Sequence, residues 1–191
     1  MRSTVGSLLA TFSVALEARD PYLRGHSARV TQFAEGLARA LGWRRDELEL
    51  LRLGGLLHDV GKIAVSVGIL RKPGPLTREE LDQIRRHPVT GARLVECFED
   101  FEAALPYVLH HHEWWDGSGY PHGLRGGEIP VEARVLCVAD AFDAMTSRRA
   151  YRSALSVEQA LAELERCSGS QFDPELATTF VRSWRLGAIA A

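Results

Sequence analysis

"LRLGGLLHDVGK", Leu51 to Lys62, runs as a core helix until His58. There a histidine and an aspartate stand side by side, directly behind leucines and glycines. Burying an unpaired carboxylate is very costly. The pair is therefore either solvated at a helix end or held by something strongly positive.

The surrounding pattern is helical. Val30, Phe33, Ala34, Leu37 and Leu41 make one apolar face, closed by Gly42, and Leu48, Leu51, Leu53, Leu56 and Leu57 make the next. "TREE" (Thr77 to Glu80) and "SVEQ" (Ser156 to Gln159) are capping boxes that predict two further helix starts. Pro130 suits the first turn of a helix through Val135 and Phe142, and Asp173-Pro174 opens a last one through Phe180 and Trp184. Strand signals are nearly absent, so the expectation is an all-α single domain over residues 1–191. Two Gly/Pro-rich loops interrupt it, Arg71 to Thr77 and the long Trp115 to Pro130. A long loop inside a compact domain is usually functional or disordered, and the aromatic and proline content of the second argues against disorder.

Composition narrows the function. The 191 residues are 46 % hydrophobic and 25 % charged, ordinary for a globule with a real core. A net charge of −2 excludes the global basic field that draws in nucleic acid polymers. Three scattered cysteines (Cys97, Cys137, Cys167) give neither a disulfide framework nor a zinc knuckle, and favour a reducing cytoplasm. Val5, Leu8, Leu9, Phe12 and Leu16 predict an amphipathic first helix, with residues 1–15 a linker or dimer helix leading into the domain. No apolar run approaches the ~18 residues of a membrane span.

Seven histidines are present. His26, His58, His87, His111 and His112, with Asp59 and Asp140, make the inventory a two-metal centre needs: nitrogen donors plus a carboxylate able to bridge. Asp59 is the natural bridge, one oxygen toward each cation. Residues adjacent on a helix point ~100° apart, so a metal beside the helix wall can be reached by both members of such a pair. Two dications would remove the cost of burying Asp59. Spacing alone leaves the bland alternative open, since histidines near helix ends are commonly capping or solvated residues. His110 and His122 are read that way.

"HDVGK", "HHEWWDGSGYPHGLRGGEIP", "VADAFDAMTS" and "YR" together resemble the HD-GYP domains, the bacterial branch of the HD metal-dependent phosphohydrolases that hydrolyses cyclic di-GMP. The resemblance runs from about Leu16 to Phe180 and implies a helical bundle of that type with a long GYP loop. It implies one metal on His26, His58, Asp59 and Asp140, and another on Asp59, His87, His111 and His112. Lys62 would touch a phosphate, Tyr120 would pack near a guanine or its ribose, and Arg149 and Arg152 would bind phosphates. Tyr22 stands where some members carry a glutamate that supports a third metal, so two divalent metals are expected. Imidazole-rich ligation with a bridging carboxylate suits iron or manganese, with zinc, nickel or cobalt possible by ligand softness. Ser66-Val67 and Ala150 also depart from the family pattern, at the pocket edge rather than at the ligands.

Two metals would hold a bridging hydroxide at neutral pH, poised to attack phosphorus in line while Lys62 neutralises charge on the equatorial oxygens. Asp59 and Lys62 are thus the expected catalytic residues. The expected product is linear pGpG, with GMP on further cleavage. The alternatives are a non-catalytic cyclic dinucleotide sensor or docking module, and a phosphodiesterase for another cyclic dinucleotide. Expected partners are the cyclic dinucleotide and either a second copy of the chain or an upstream sensory or receiver domain. Glu113 could orient a ligand imidazole. Trp114 and Trp115 are expected to pack the loop, and Arg148 to be solvated.

Overall fold

The computed structural model describes residue 19 and residues 25–147 and 154–189. Among these, nine α-helices are joined by turns and three 3-10 segments. In chain order they are α1 (His26–Ala40), α2 (Arg45–Leu57), α3 (Val67–Leu70), α4 (Arg78–Arg85), α5 (His87–Val95), α6 (Leu105–His110), α7 (Val131–Thr146), α8 (Val157–Arg166) and α9 (Pro174–Arg185). No strand occurs among the described residues, only an isolated bridge between Ser168 and Phe172. The chain is therefore all-α, as the periodicity predicts.

Both capping boxes form. Thr77 N–H donates to the Glu80 carboxylate at 2.7 Å and Thr77 Oγ1 accepts from Glu80 N–H. Ser156 and Gln159 repeat the exchange at the start of α8. Pro130 lies one residue earlier than expected, at the N-cap of α7. Asp173 caps α9 by accepting from the N–H groups of Glu175 and Leu176. The long loop is interrupted by a 3-10 turn, Gly126–Glu128, that the sequence pattern did not suggest. The first helix, Tyr22, Arg148, Arg149, Ala150 and Arg152 lie outside the described residues.

Two apolar clusters result. The larger joins α1, α2, α7, α8 and α9 through Phe33, Leu37, Leu51, Val138, Phe142, Leu161 and Phe180. Phe33, Phe142, Phe180 and Trp184 meet edge-on or offset, with ring centroids 4.7–6.2 Å apart. Phe142 is 1 % exposed, so Phe142→Ala would cost about 3–5 kcal/mol, the transfer and cavity penalties together. The smaller cluster holds Leu57, Val60, Val95, Phe101, Ala104 and Val108. His58 and Asp59 fall between Leu57 and Val60, at the point where α2 ends and the 3-10 segment Val60–Ala64 begins. That segment packs on α5, with Gly61 against its first turn. A Cβ there would lie 1.9 Å from the His87 carbonyl oxygen and 2.5 Å from the Gly91 nitrogen. Only glycine lets the backbone after Asp59 approach the helix that starts with His87.

Candidate metal centre

The sequence-selected ligands come from helix ends and one helix middle. His26 begins α1, His58 follows α2, Asp59 precedes the 3-10 turn, His87 begins α5, His111 and His112 follow α6, and Asp140 sits within α7. Folding gathers them into two groups. His26, His58 and Asp140 offer ligand atoms within 4.8 Å of one another, and so do Asp59, His87, His111 and His112. All are buried except His112 and Asp140, which are partly so.

Asp59 lies between the groups with its oxygens divided. Oδ2 is 3.6 Å from His26 Nε2 and 3.5 Å from His58 Nε2. Oδ1 is 3.2 Å from His87 Nε2 and 4.0 Å from His111 Nε2. Asp59 thus presents one oxygen to each group. The two groups remain adjacent, sharing this one side chain.

The imidazoles are oriented from behind. His58 Nδ1 faces the Gly55 carbonyl at 2.7 Å, His87 Nδ1 the Ile84 carbonyl at 2.7 Å, and His111 Nδ1 the Val108 carbonyl at 3.0 Å. A carbonyl only accepts, so each Nδ1 donates to it and each ring turns its Nε2 inward. His26 Nδ1 lies 2.7 Å from Asp143 Oδ2 in the same sense. Asp143 is 1 % exposed and is gripped by the Arg29 guanidinium at 2.5 and 3.1 Å. Sequence reasoning missed it, although "ADAFD" places it three residues after Asp140 on the same helical face.

Two buried atoms of the cage lack a partner. His87 Nε2 and His111 Nε2 stand 3.2 Å apart, each facing Asp59 Oδ1, which has no hydrogen-bond partner. His58 Nε2 is likewise buried and unpartnered. Buried polar atoms left without a partner are costly, and a cation seated beside His58 Nε2 and Asp59 Oδ1 would satisfy both, so these residues fit the divalent metals that the family binds. Burial, then the neighbouring imidazoles, depress His111 well below an ordinary histidine, and burial with His87 brings His112 to about 3. Both rings are neutral at pH 7 and available as ligands. His26 differs: burial would lower it, but Asp140, Asp143 and Asp59 outweigh that and raise it well above the ordinary value. Burial would raise the Asp59 carboxyl, but Lys62 and the surrounding histidines hold it well below the usual range. Asp140 is lowered in the same way, by His26 against its own burial.

Lys62 Nζ donates to Asp59 Oδ2 at 2.6 Å, so its charge reaches the cage edge. Tyr120 stacks on His112 with centroids 4.8 Å apart, and the Arg85 guanidinium lies 5.5 Å from the Tyr120 ring centroid. Tyr120 N–H donates to the His112 carbonyl at 3.0 Å, which fixes the GYP triplet against the ligand pair. Gly119 permits this, since a Cβ there would lie 2.3 Å from the Trp114 nitrogen. Arg149 and Arg152, expected on the phosphates, lie outside the described residues. Glu113 does not orient a ligand ring. Its buried carboxylate accepts from His122 N–H at 2.7 Å and Leu124 N–H at 3.1 Å, holding the loop backbone. Trp115 packs under Arg134, as expected of a loop aromatic, and Trp114 is largely at the surface.

A family model described as the HD domain matches residues 10–176. The cyclic di-GMP phosphodiesterase response regulator RpfG of Xanthomonas campestris is 38 % identical over 91 % of this chain and 47 % of its own length. A 3'3'-cGAMP-specific phosphodiesterase of Vibrio cholerae is 34 % identical over 96 % of this chain and 36 % of its own length. The crystal structure of a cyclic GMP-AMP-specific phosphodiesterase from V. cholerae superposes with a TM-score of 0.69 at 20 % identity, over 93 % of this chain and 48 % of that one, a likeness of fold. The chain belongs to the HD domain family, in its HD-GYP branch. It spans about half or less of the length of the curated relatives it matches. No helix among the described residues is long and apolar enough to cross a membrane.

Proposed function

We propose that this domain is a metal-dependent phosphodiesterase that hydrolyses cyclic di-GMP to linear pGpG. Carrying the proposal is Asp59, a buried carboxylate with one oxygen toward each of two nitrogen-rich groups. His26, His58, Asp59 and Asp140 would hold one divalent ion, and Asp59, His87, His111 and His112 the other. Iron or manganese is the proposed pair, from the mixture of imidazoles with a bridging carboxylate. Bound there, the ions would supply an acidified water and neutralise phosphate charge.

The chain's own residues do the rest. Lys62 sits at the cage edge, where its ammonium can shift from Asp59 to a phosphoryl oxygen as charge builds there. Tyr120, held flat on His112 with Arg85 beside it, would pack near a guanine or its ribose. Arg149 and Arg152 are the proposed phosphate clamps. Water adds at phosphorus, the bond to the ribose 3′ oxygen breaks, and that oxygen leaves with a proton, giving the 5′-phosphorylated linear product. Three free cysteines are in keeping with a bacterial cytoplasm. A second copy or a sensory domain is the proposed partner of the first helix.

A second substrate, the mixed GMP-AMP ring, is favoured by the relatives named for it. Protein purified without oxygen and loaded with iron or manganese, offered both rings, decides by mass spectrometry of the products. Formation of pGpG from cyclic di-GMP is expected. Cleavage of the mixed ring alone would reassign the substrate, and tight binding of either ring without product would make the domain a sensor.

A further inference from the structure

The run "HHHE" divides around its helical turn: His111 and His112 enter the cage, while His110 and Glu113 leave on another side. His122, from the GYP loop, meets them there. Each of His110, Glu113 and His122 offers a ligand atom within 4.8 Å of the other two. The His110 and His122 rings lie 5.3 Å apart, and His110 Nδ1 is 3.9 Å from Glu113 Oε1. His110 Nδ1 is buried and has no hydrogen-bond partner. Glu113 is 2 % exposed, whereas His122 is at the surface.

We propose that His110, Glu113 and His122 form a further divalent-cation site, separate from the cage, that clasps the GYP loop to the end of α6. Two imidazoles and a carboxylate select an imidazole-preferring ion such as zinc, with the fourth position open to water. Bond lengths of about 2.0–2.1 Å put tetrahedral zinc ligands about 3.3 Å apart, so the donors must draw in by roughly an ångström. His122, exposed on a loop, has the freedom to do so. The buried Nδ1 of His110 gains the partner it lacks. Glu113 already holds the N–H groups of His122 and Leu124, so an ion on its carboxylate ties both ends of that connection. The cation would act on loop order, and through the loop on Tyr120. It does so independently of whether the cage turns substrate over.

The test counts zinc on the intact chain by competition with a chromophoric chelator. His122→Ala and His110→Gln should each bind one equivalent fewer than the wild type. With free zinc at ten times the dissociation constant of that site, protease cleavage within residues 115–130 should slow about tenfold further in the wild type than in His122→Ala. A full zinc complement in either variant, or equal protection in wild type and His122→Ala, overturns the proposal. Activity is not the readout, so failure here leaves the cage assignment untouched.

Discussion

The two halves of the cage share Asp59 but are built on opposite electrostatics. The His26 half is rich in carboxylate: Asp140 and Asp59 face its ring at 3.3 and 3.6 Å, and Asp143 stands behind it at 2.7 Å. Its histidine consequently binds a proton more tightly than usual. In the other half imidazoles crowd imidazoles, with His111 and His112 centroids 4.1 Å apart, and both are held neutral. A cation entering the first half displaces a proton, whereas in the second it meets lone pairs already free. Like residue types therefore give unlike sites, because the neighbours and not the ligands set the proton affinity.

Removing the shared residue should break the comparison altogether. Asp59→Ala is expected to bring the iron or manganese content of the cage close to zero and turnover to background, by elemental analysis paired with a product assay. Retention of both metals would refute the bridge. Lys62→Met should lower kcat about 10²–10³-fold while the metals stay, as expected for a group that stabilises developing charge.

Asp143→Asn separates the halves. It removes the charge that orients His26 and should weaken metal binding about 10–100-fold in that half only. Equal weakening in both halves would mean that they load as one unit. Glu113→Gln takes one acceptor from the loop N–H groups and should cost about 1 kcal/mol in urea unfolding without changing the cage metals.

The smallest effect lies away from both halves. Arg52 and Arg39 grip Glu35, and its carboxyl falls from an ordinary 4.5 to about 2, Arg52 contributing most. A depressed folded value means the stabilisation is complete above pH 4.5 and fades as pH drops through 2. The stability gap between wild type and Glu35→Gln should accordingly close over that window. A gap unchanged at pH 2 would show that the ion pair contributes nothing through charge.

Much of this was legible beforehand, for local reasons. Apolar spacing and the Thr77 and Ser156 capping boxes act within a turn or two of chain, so helices could be read directly. Seven metal-type residues were recognisable by kind, and the motifs between His58 and Arg152 marked the family. Asp143 was passed over because a buried aspartate behind a histidine looks, in one dimension, like any helical aspartate. Glu113 was misjudged because its partners, His122 and Leu124, become neighbours only when the loop folds back.

The sequence alone pointed to the longer helices, the candidate ligand types and a carboxylate suited to bridging, since these follow from side-chain chemistry and short-range spacing. The short helices Val67–Leu70, His87–Val95 and Leu105–His110 carried no such signal. Only the tertiary structure decided which oxygen of Asp59 faces which group, which nitrogen each imidazole turns inward, and how firmly each holds a proton. Those properties come from carbonyls, carboxylates and burial contributed by distant segments, and distance along the chain carries no information about them.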